Sequence, residues 1–445
     1  MSVLIRGAAS FEDPERPLDI LLDGERIAEI GTDLAASPEA TVVDARGLLV
    51  LPGLIDVHNH PIHDETFATV GDAAVFGGVT TICHQLYPAP EESYAAAVER
   101  MRDEAGEGAA DYAAHVRWVP AHAAREDLRA ARAAGAASSK AFLAHPDKTV
   151  QADLGQLTLA FQQAADAGLP LLVHAELGSV VDELERAGHA DLTTHEGLHR
   201  HRSADNEAAA VTAAAVIAKR LDAHLYVVHV SCRQALDACL RARHDGVRVT
   251  IETCPHYLYL THEDAPAGGR GFVLPPLREA ADVAALRAAL AAGEIDTVGS
   301  DHCGHADHAK DPDSIAASKA GLPGIEMLVP LLLSAALGDD AWLPRTRVVD
   351  VLARTPAAVF GLSGKGRITP GYDADLVLVD PGAVRTVSHD ELHDAASYSP
   401  YEGMRLHGAI RSVWRRGQEV VRDGAPLAGG GGRFIPRADG RGTPS

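Results

Sequence analysis

The chain has 445 residues, of which 62 are acidic and 40 are basic, so its formal net charge is −22. Because no run of lysine or arginine forms a basic patch, the composition argues against nucleic acid and anionic membrane surfaces as partners. No apolar stretch approaches the roughly 20 residues that cross a bilayer. Residues 1–11 lack the apolar segment of a signal peptide. The five cysteines include no C-x-x-C pair, which is typical of reduced thiols, so we expect a cytoplasmic protein.

Short strands are predicted at both ends of the chain. Near the N-terminus, Leu18–Leu22 and Arg26–Ile30 flank Asp23-Gly24, a pattern that predicts a β-hairpin. Residues 371–424 have the same character, with strand-like runs on either side of Arg416-Gly417. We therefore expect the two ends of the chain to meet in one small β-rich domain.

Eight apolar, strand-like runs lie between these ends, and Ala-rich segments with helical spacing separate most of them. The runs are Leu54–His60, Val79–Leu86, Ala113–Val119, Ser138–Leu143, Pro170–His174, His224–Val230, Val247–Glu252 and Thr297–Asp301. Strand alternating with helix eight times predicts an α/β fold, a (β/α)8 TIM barrel. Leu169–Val173 is apolar without alternation, as a strand buried on both faces requires.

Side chains able to bind a metal recur at the ends of the predicted strands. They are His58, His60, Lys140, His174, His229 and Asp301. Active sites of such barrels lie at the C-terminal ends of the strands, so we expect these six side chains to converge. Because His58 and His60 are two residues apart on one strand, their imidazoles share a face and can chelate one divalent ion. A polar strand end without metal has the same H-x-H pattern, but the four further candidates favour ligation.

Lys140 lies within a predicted barrel strand, where a charged ammonium group is costly. A buried lysine loses its proton readily, and the neutral amine can react with carbon dioxide. The resulting carbamate offers two oxygens that can bridge two metal ions. The alternative is a lysine whose amine reaches solvent, but the neighbouring candidate ligands favour the bridge.

His174 and His229 each follow a run of apolar residues, at equivalent positions of neighbouring predicted strands. One histidine in such a place is usually a core residue, whereas two suggest the ligands of a second metal. Asp301 can both bind metal and carry a proton, although a helix cap or a turn would also explain it. His302, Cys303 and His305 are interpreted as loop residues behind the ligands.

Taken together, the motifs resemble those of the cyclic amidohydrolases of the amidohydrolase superfamily, which comprise hydantoinases, dihydropyrimidinases, allantoinases and dihydroorotases. The matching segments, in order over nearly the whole chain, are 52–60, 76–81, 172–176, 228–231, 252–258, 275–278, 299–302, 371–376 and 399–404. Taken together, these segments are very specific for the family, but they are less specific for any one member of it.

The resemblance implies a TIM barrel with a small β-sandwich domain formed from both termini. The expected boundaries are 1–52 and 363–424 for the two parts of the β-sandwich, 53–362 for the barrel, and 425–445 for a flexible tail. Residues 432–437 resemble hydantoinase tails that reach a neighbouring subunit. The tail is therefore a candidate interface, and a homotetramer (or a dimer) is expected.

The resemblance also implies a site with two divalent metal ions, usually zinc. His58, His60 and Asp301 would bind one ion, and His174 and His229 would bind the other. Carboxylated Lys140 would bridge the two ions. The two metals would lower the pKa of a bridging water and polarise a ring carbonyl. Asp301 would accept the proton of the attacking hydroxide and pass it to the leaving nitrogen, which opens the ring to an N-carbamoyl amino acid or a related ureide.

Departures from the family's patterns bear on the substrate. The Arg that dihydroorotases carry two residues after the second His is replaced here by Ile62, which argues against orotate-type rings. His145 stands where D-hydantoinases carry a Tyr, as it does in some allantoinases. His256 stands where they usually carry a Gln, and it resembles an allantoinase or dihydroorotase residue. The Ser-Asp-His-Cys-Gly-His run resembles an L-hydantoinase type. The candidate substrate-binding residues are His145, His256, Pro275, Cys303 and His305, with His63 as a weaker one.

We therefore expect a metal-dependent hydrolase of cyclic amides, with 5-substituted hydantoins as the first choice of substrate. The alternatives are an allantoinase, then a dihydropyrimidinase or dihydroorotase. A non-catalytic dihydropyrimidinase-like scaffold is an alternative of another class, but such proteins typically lack the metal ligands that this chain retains. Ester or lactone hydrolysis on the same metals is a further possibility.

Overall fold

A computed structural model describes residues 2–62, 64–427 and 430–438. His63 and the tail residues 428, 429 and 439–445 lie outside the described residues. In the described part of the chain, no helix combines the length and apolar character needed to span a membrane.

The secondary structure alternates as predicted in the middle of the chain and is strand-rich at both ends. The strands are β1 (Ser2–Ser10), β2 (Pro17–Asp23), β3 (Arg26–Gly31), β4 (Thr41–Asp44), β5 (Leu49–Pro52), β6 (Leu54–Asn59), β7 (Val79–Leu86), β8 (Asp111–Arg117), β9 (Ser138–Phe142), β10 (Leu171–His174), β11 (Leu225–Val227), β12 (Val249–Thr253), β13 (Thr297–Val298), β14 (Leu376–Thr386), β15 (Arg405–Arg415), β16 (Gln418–Arg422) and β17 (Ala425–Pro426). The α-helices are α1 (Phe67–Phe76), α2 (Tyr94–Ala105), α3 (Pro120–Ala123), α4 (Leu128–Ala133), α5 (Leu154–Ala167), α6 (Gly178–Arg186), α7 (His195–His201), α8 (Ala204–Arg220), α9 (Arg233–His244), α10 (Pro255–Tyr259), α11 (Ala280–Ala292), α12 (Leu328–Leu337), α13 (Arg345–Val349) and α14 (Thr355–Phe360). Shorter helical turns are Gly268–Gly271, Asp307–Ala309, Asp350–Arg354 and His389–Glu391.

A nine-stranded sheet unites the two ends of the chain, as the sequence predicted. Its order is β17-β16-β15-β14-β5-β1-β2-β3, with β4 paired to β1. The junction is β5 against β14, antiparallel, with Leu51 opposite Val377. The predicted hairpin around Asp23-Gly24 joins β2 and β3. One face of this sheet is covered by its own apolar cluster, which includes Ile20 and Trp414.

The second sheet is an eight-stranded parallel barrel in sequential order, β6 to β13, which confirms the predicted fold class. Helices such as α5 and α8 bury alanine-rich faces against its outside. The barrel closes next to β13, where Asp56 of β6 accepts the backbone N–H of Ser300 at 2.8 Å. Asn59 and His302 form a parallel bridge at the same seam. The site described below therefore lies on a closed scaffold.

Two predicted strands are shorter than the apolar runs suggested. β11 ends at Val227 and β13 at Val298, before His229 and Asp301. The reason lies in the backbone, because φ is +42° at His229 and +46° at Asp301. Left-handed backbone is unfavourable for residues other than glycine and cannot continue a strand.

A buried ion network joins the barrel to the terminal sheet. Lys365 Nζ lies 2.5 Å from Asp111 Oδ2, at the start of β8, and 2.7 Å from Asp375 Oδ2, just before β14. Asp111 also accepts the Arg416 Nε–H at 3.1 Å and the backbone N–H of Arg433 at 2.9 Å. Because these charges are buried together, removing one would leave the others uncompensated.

Residues 430–438 of the predicted tail pack on the barrel of their own chain. The backbone N–H of Tyr112, on β8, donates to the carbonyl oxygen of Arg433 in the tail at 2.9 Å. The backbone N–H of Ile435 in turn donates to the carbonyl oxygen of Tyr112 at 2.7 Å. The Ile435 side chain packs against the apolar cluster inside the barrel. This segment therefore packs on the N-terminal end of the barrel, opposite the C-terminal end at which the candidate ligands were predicted.

Candidate active site

The six predicted ligand positions converge at the C-terminal end of the barrel, beside a cavity of about 670 Å³. They come from β6, β9 and β10 and from the segments that follow β6, β11 and β13. The cavity is lined by residues 60, 62, 87, 117, 140, 142, 144–146, 174, 202, 229, 272–274, 301, 303 and 318–321.

The first group of polar atoms belongs to His58, His60, Asp301 and Lys140. The two Nε2 atoms of the histidines lie 3.2 Å apart. Asp301 Oδ1 lies 3.2 Å from Nε2 of His58 and 3.1 Å from Nε2 of His60. Lys140 Nζ lies 2.5 Å from Nε2 of His58. Four ligand-capable atoms therefore face one point.

The second group consists of His174 and His229. Nδ1 of His174 lies 3.0 Å from Nε2 of His229. On its other side, His174 Nε2 lies 2.7 Å from Glu176 Oε2, which also binds Arg202 at 2.7 Å. The rings of His229 and His58 have centroids 5.4 Å apart, so the two groups are adjacent.

Glu252, at the end of β12, supports both groups from behind. Its Oε1 lies 2.6 Å from His58 Nδ1 and accepts the backbone N–H of His229 at 3.1 Å. Its Oε2 accepts the Tyr226 hydroxyl at 2.7 Å. Burial raises the pKa of Glu252 to about 8. A metal ion bound at the site would oppose this effect and favour the ionised carboxylate. With Glu252 ionised, His58 donates from Nδ1 and its Nε2 lone pair faces the site.

The electrostatics keep the imidazoles of His58 and His60 neutral and the carboxylate of Asp301 charged. Burial, together with the charge of Lys140, lowers the pKa of His58 well below its ordinary value and that of His60 to about 4. Burial alone would raise the pKa of Asp301, but His58 and His60 hold it well below its ordinary value. These are the protonation states in which such side chains bind metal.

Lys140 is fully buried, and none of the described carboxylates forms an ion pair with it. Its other close neighbour is the ring of Phe142, whose centroid lies 4.9 Å from Nζ. Burial lowers the pKa of Lys140 to about 8, which makes the neutral amine accessible near neutral pH.

The chemistry of this donor set fits divalent metal ions. His58, His60 and Asp301 bring three ligand atoms within 4.8 Å of one another. Two histidine nitrogens bound at 2.0–2.1 Å to a tetrahedral ion lie about 3.3 Å apart, close to the 3.2 Å and 3.0 Å separations found in the two groups.

Two of the predicted substrate-binding residues line the cavity, His145 and Cys303. His145 Nδ1 accepts the backbone N–H of Asp147 at 3.0 Å. Burial lowers the pKa of His145 to about 4, so its neutral ring carries the remaining proton on Nε2. Cys303 is buried, with its Sγ 3.3 Å from His305 Nε2.

The other three lie behind the cavity wall. His305 Nε2 lies 3.0 Å from the carbonyl oxygen of Ala320. His256 is buried beside Asp301, and its Nε2 has no hydrogen-bond partner among the described residues. Pro275 follows the cavity-lining Leu274 and accepts the Tyr257 hydroxyl through its carbonyl at 2.6 Å.

Sequence reasoning missed Tyr87, Arg117 and Phe142, which form one side of the cavity. The Tyr87 hydroxyl contacts His60 Nδ1, and the Arg117 guanidinium lies 3.8 Å from the centre of the Tyr87 ring. A signal was available, because Arg117 lies near the C-terminal end of the predicted strand Ala113–Val119, at the same end of the barrel as the ligands. A single arginine at a strand end is too common to have been singled out.

Comparison with known proteins gives one consistent family. The amidohydrolase family profile matches residues 49–420. The D-hydantoinase of Ralstonia pickettii is 33% identical over 446 residues, covering 96% of each chain. The allantoinase of Rubrobacter xylanophilus is 34% identical over 449 residues, covering 97% of each. The crystal structure of dihydropyrimidinase from Brevibacillus agri superposes with a TM-score of 0.89 at 32% identity, covering 98% of this chain and 99% of that one.

Proposed function

The chain belongs to the amidohydrolase family and is a cyclic amide hydrolase of the hydantoinase type, and we propose that it opens 5-substituted hydantoins at a pair of metal ions. The observation that carries the proposal is the convergence of His58, His60, Asp301 and Lys140 on one point beside a cavity. A neighbouring histidine pair supplies the ligands of a second ion.

In this proposal His58, His60 and Asp301 hold one ion, and His174 and His229 hold the other. Zinc is the proposed metal, because neutral imidazoles with a carboxylate are typical zinc ligands. When bound, the ions would supply an acidified water and polarise the ring carbonyl.

Lys140 is proposed to carry a carboxylate. Its neutral amine attacks carbon dioxide, a bond forms between Nζ and carbon, and one proton leaves, which gives a carbamate anion. The burial of Lys140 and its lowered pKa support this step. The two carbamate oxygens would bridge the ions and replace a costly buried cation by an anion.

Asp301 is proposed as the group that moves the proton. Its carboxylate is ionised, so it can accept a proton from the attacking water and return it to the leaving ring nitrogen. His145 is proposed to donate its Nε2–H to a substrate carbonyl, since Nδ1 is already an acceptor and the ring lines the cavity.

Allantoin hydrolysis is the second candidate, and His145 favours it because this position carries a histidine in some allantoinases. A direct comparison separates the two. Metal-loaded protein is incubated with a 5-substituted hydantoin and with allantoin side by side, and ring opening and metal content are measured. We expect about two ions per chain and hydantoin turnover. Turnover of allantoin alone would reassign the substrate, and a metal-free, inactive protein would favour the scaffold alternative.

A cytoplasmic location and a homotetramer are also proposed. All five cysteines are buried and free of disulfides, which supports a reducing compartment. The tetramer rests on the resemblance of residues 432–437 to hydantoinase tails. Size-exclusion chromatography with light scattering tests the assembly.

A further inference from the structure

The cavity wall is basic in a protein that is strongly acidic overall. Among the described residues, Asp301 is the one acidic side chain that lines the cavity, whereas Arg117, Arg202 and Lys319 line it in addition to Lys140. Against a net charge of −22, this local excess of positive charge points to an anionic ligand.

The three cations are not equivalent. Arg202 is neutralised by Glu176 at 2.7 Å. Lys319 is exposed to solvent. Arg117 is half-buried, its Nε has no hydrogen-bond partner, and it pairs with no carboxylate among the described residues. A partly buried guanidinium with an unpaired donor and no carboxylate partner is well suited to bind a carboxylate.

Aromatic rings hold the Arg117 guanidinium in place. Its central carbon lies 3.8 Å from the ring centre of Tyr87 and 5.6 Å from that of Phe142. Stacking of this kind orients the planar fork of donors and restricts its motion. An anion entering the cavity would therefore meet a preorganised partner.

Arg117 lies next to the reacting centre. It is paired in register with Lys140 across β8 and β9. Tyr87 lies between it and the metal-facing histidines, with its hydroxyl on His60. The Tyr87 ring thus separates Arg117 from the predicted ligand His60. A short substituent on a substrate ring bound at the metals would span this separation.

We propose that Arg117 binds a carboxylate on the ring substituent, so that the preferred substrates are hydantoins whose 5-substituent ends in a carboxylate. This inference rests on the proposed function and deepens it. In the reaction, the bond between the carbonyl carbon next to the substituted carbon and the adjacent ring nitrogen breaks. Water supplies oxygen to that carbon and a proton to the nitrogen, and the product is an N-carbamoyl amino acid with two carboxylates.

The test compares two probes of the same shape, 5-(2-carboxyethyl)hydantoin and its primary amide, with wild-type protein, Arg117→Met and the control Arg129→Met. Arg129 is exposed on α4 and is not among the residues that line the cavity. We expect wild-type and control kcat/KM to be roughly tenfold or more higher for the carboxylate. In Arg117→Met, kcat/KM should fall much more for the carboxylate than for the amide, so that the preference is lost, and salt should weaken the preference only where Arg117 is present.

Binding provides a readout that does not depend on turnover. Calorimetry with glutarate, a dicarboxylate, should show binding to metal-loaded wild-type protein and at least tenfold weaker binding to metal-loaded Arg117→Met. Equal rates on both probes, or an equal loss on both in Arg117→Met, would overturn the inference and leave hydantoin hydrolysis standing. If neither probe is turned over, the proposed function fails. The glutarate experiment then still tests whether Arg117 binds a carboxylate.

Discussion

Glu252 Oε1 lies 2.6 Å from His58 Nδ1 and also accepts the backbone N–H of His229 at 3.1 Å. One buried carboxylate oxygen thus orients a residue of each proposed metal subsite. It also stabilises the left-handed backbone of His229, which would otherwise be strained.

Replacement of Glu252 by Gln should weaken metal binding at both subsites. The amide keeps the volume but loses the charge that orients His58, and changes of this kind cost roughly 10- to 100-fold in metal affinity. Competition with a chromogenic chelator measures the affinity. Glu294→Gln, at an exposed position, is the matched control, and equal affinities in the two variants would contradict the role given to Glu252.

Lys140→Ala should lower activity by roughly two orders of magnitude or more, because the proposed bridging carboxylate is lost. Formate or propionate at millimolar concentration should restore part of the rate by occupying the vacated space. The control is Lys219→Ala, an exposed lysine at the end of α8. Full activity of Lys140→Ala without added acid would exclude the bridge.

Lys310 should determine how well the cavity loop is formed. Its buried amine donates to the carbonyl oxygens of Lys319 at 2.8 Å, Gly321 at 2.5 Å and Phe272 at 3.2 Å, all of which line the cavity. Lys310→Met removes this donor from three carbonyl oxygens, of which Phe272 O keeps the backbone N–H of Gly321 at 2.9 Å. KM should therefore rise several-fold while kcat changes little, with about 1–3 kcal/mol lost in stability.

Lys219→Met is the control for this experiment, since Lys219 is exposed at the end of α8. Steady-state kinetics and thermal unfolding measure the two effects. A fall in kcat with unchanged KM would assign Lys310 a different role.

The ion network around Asp111 should set the acid limit of stability. Burial alone would raise the pKa of Asp111, but Lys365 and Arg416 hold it below its ordinary value. A lowered carboxylate pKa stabilises the fold above the unfolded value of about 3.9, and this contribution is lost as pH falls through the folded value. The melting temperature should therefore fall steeply below about pH 4.

Asp111→Asn should melt lower than wild type at pH 7 and show a shallower decline below about pH 4. Asp237→Asn, on α9 where the side chain is 47% exposed, should follow the wild-type curve. Parallel acid profiles of Asp111→Asn and wild type would show that other groups set the limit.

Three features were predictable because each produces a local pattern in the sequence. They are the barrel, the sheet that unites the two ends of the chain, and the convergence of the six candidate ligands. β7 was predicted to the residue, Val79–Leu86, since apolar runs bounded by turn residues define buried strands. The roles of the ligands remain predictions that the experiments above test. Arg117 was missed because its significance comes from the rings around it and from the lack of a paired acid in the described part of the chain, which are properties of tertiary structure. The early ends of β11 and β13 depend on left-handed backbone that a run of apolar letters does not encode.

The placement of residues 430–438 across the barrel, and of β14 beside β5, has a consequence for biosynthesis. β5 leaves the ribosome long before its partner β14 is translated, and the segment that covers the barrel end is translated later still. At roughly 5–20 residues per second, the interval is on the order of tens of seconds. During it the β5 edge and the interior apolar cluster remain uncovered, so nascent chains should depend on chaperones. A message truncated before residue 376 should yield a protease-sensitive fragment rather than a smaller enzyme.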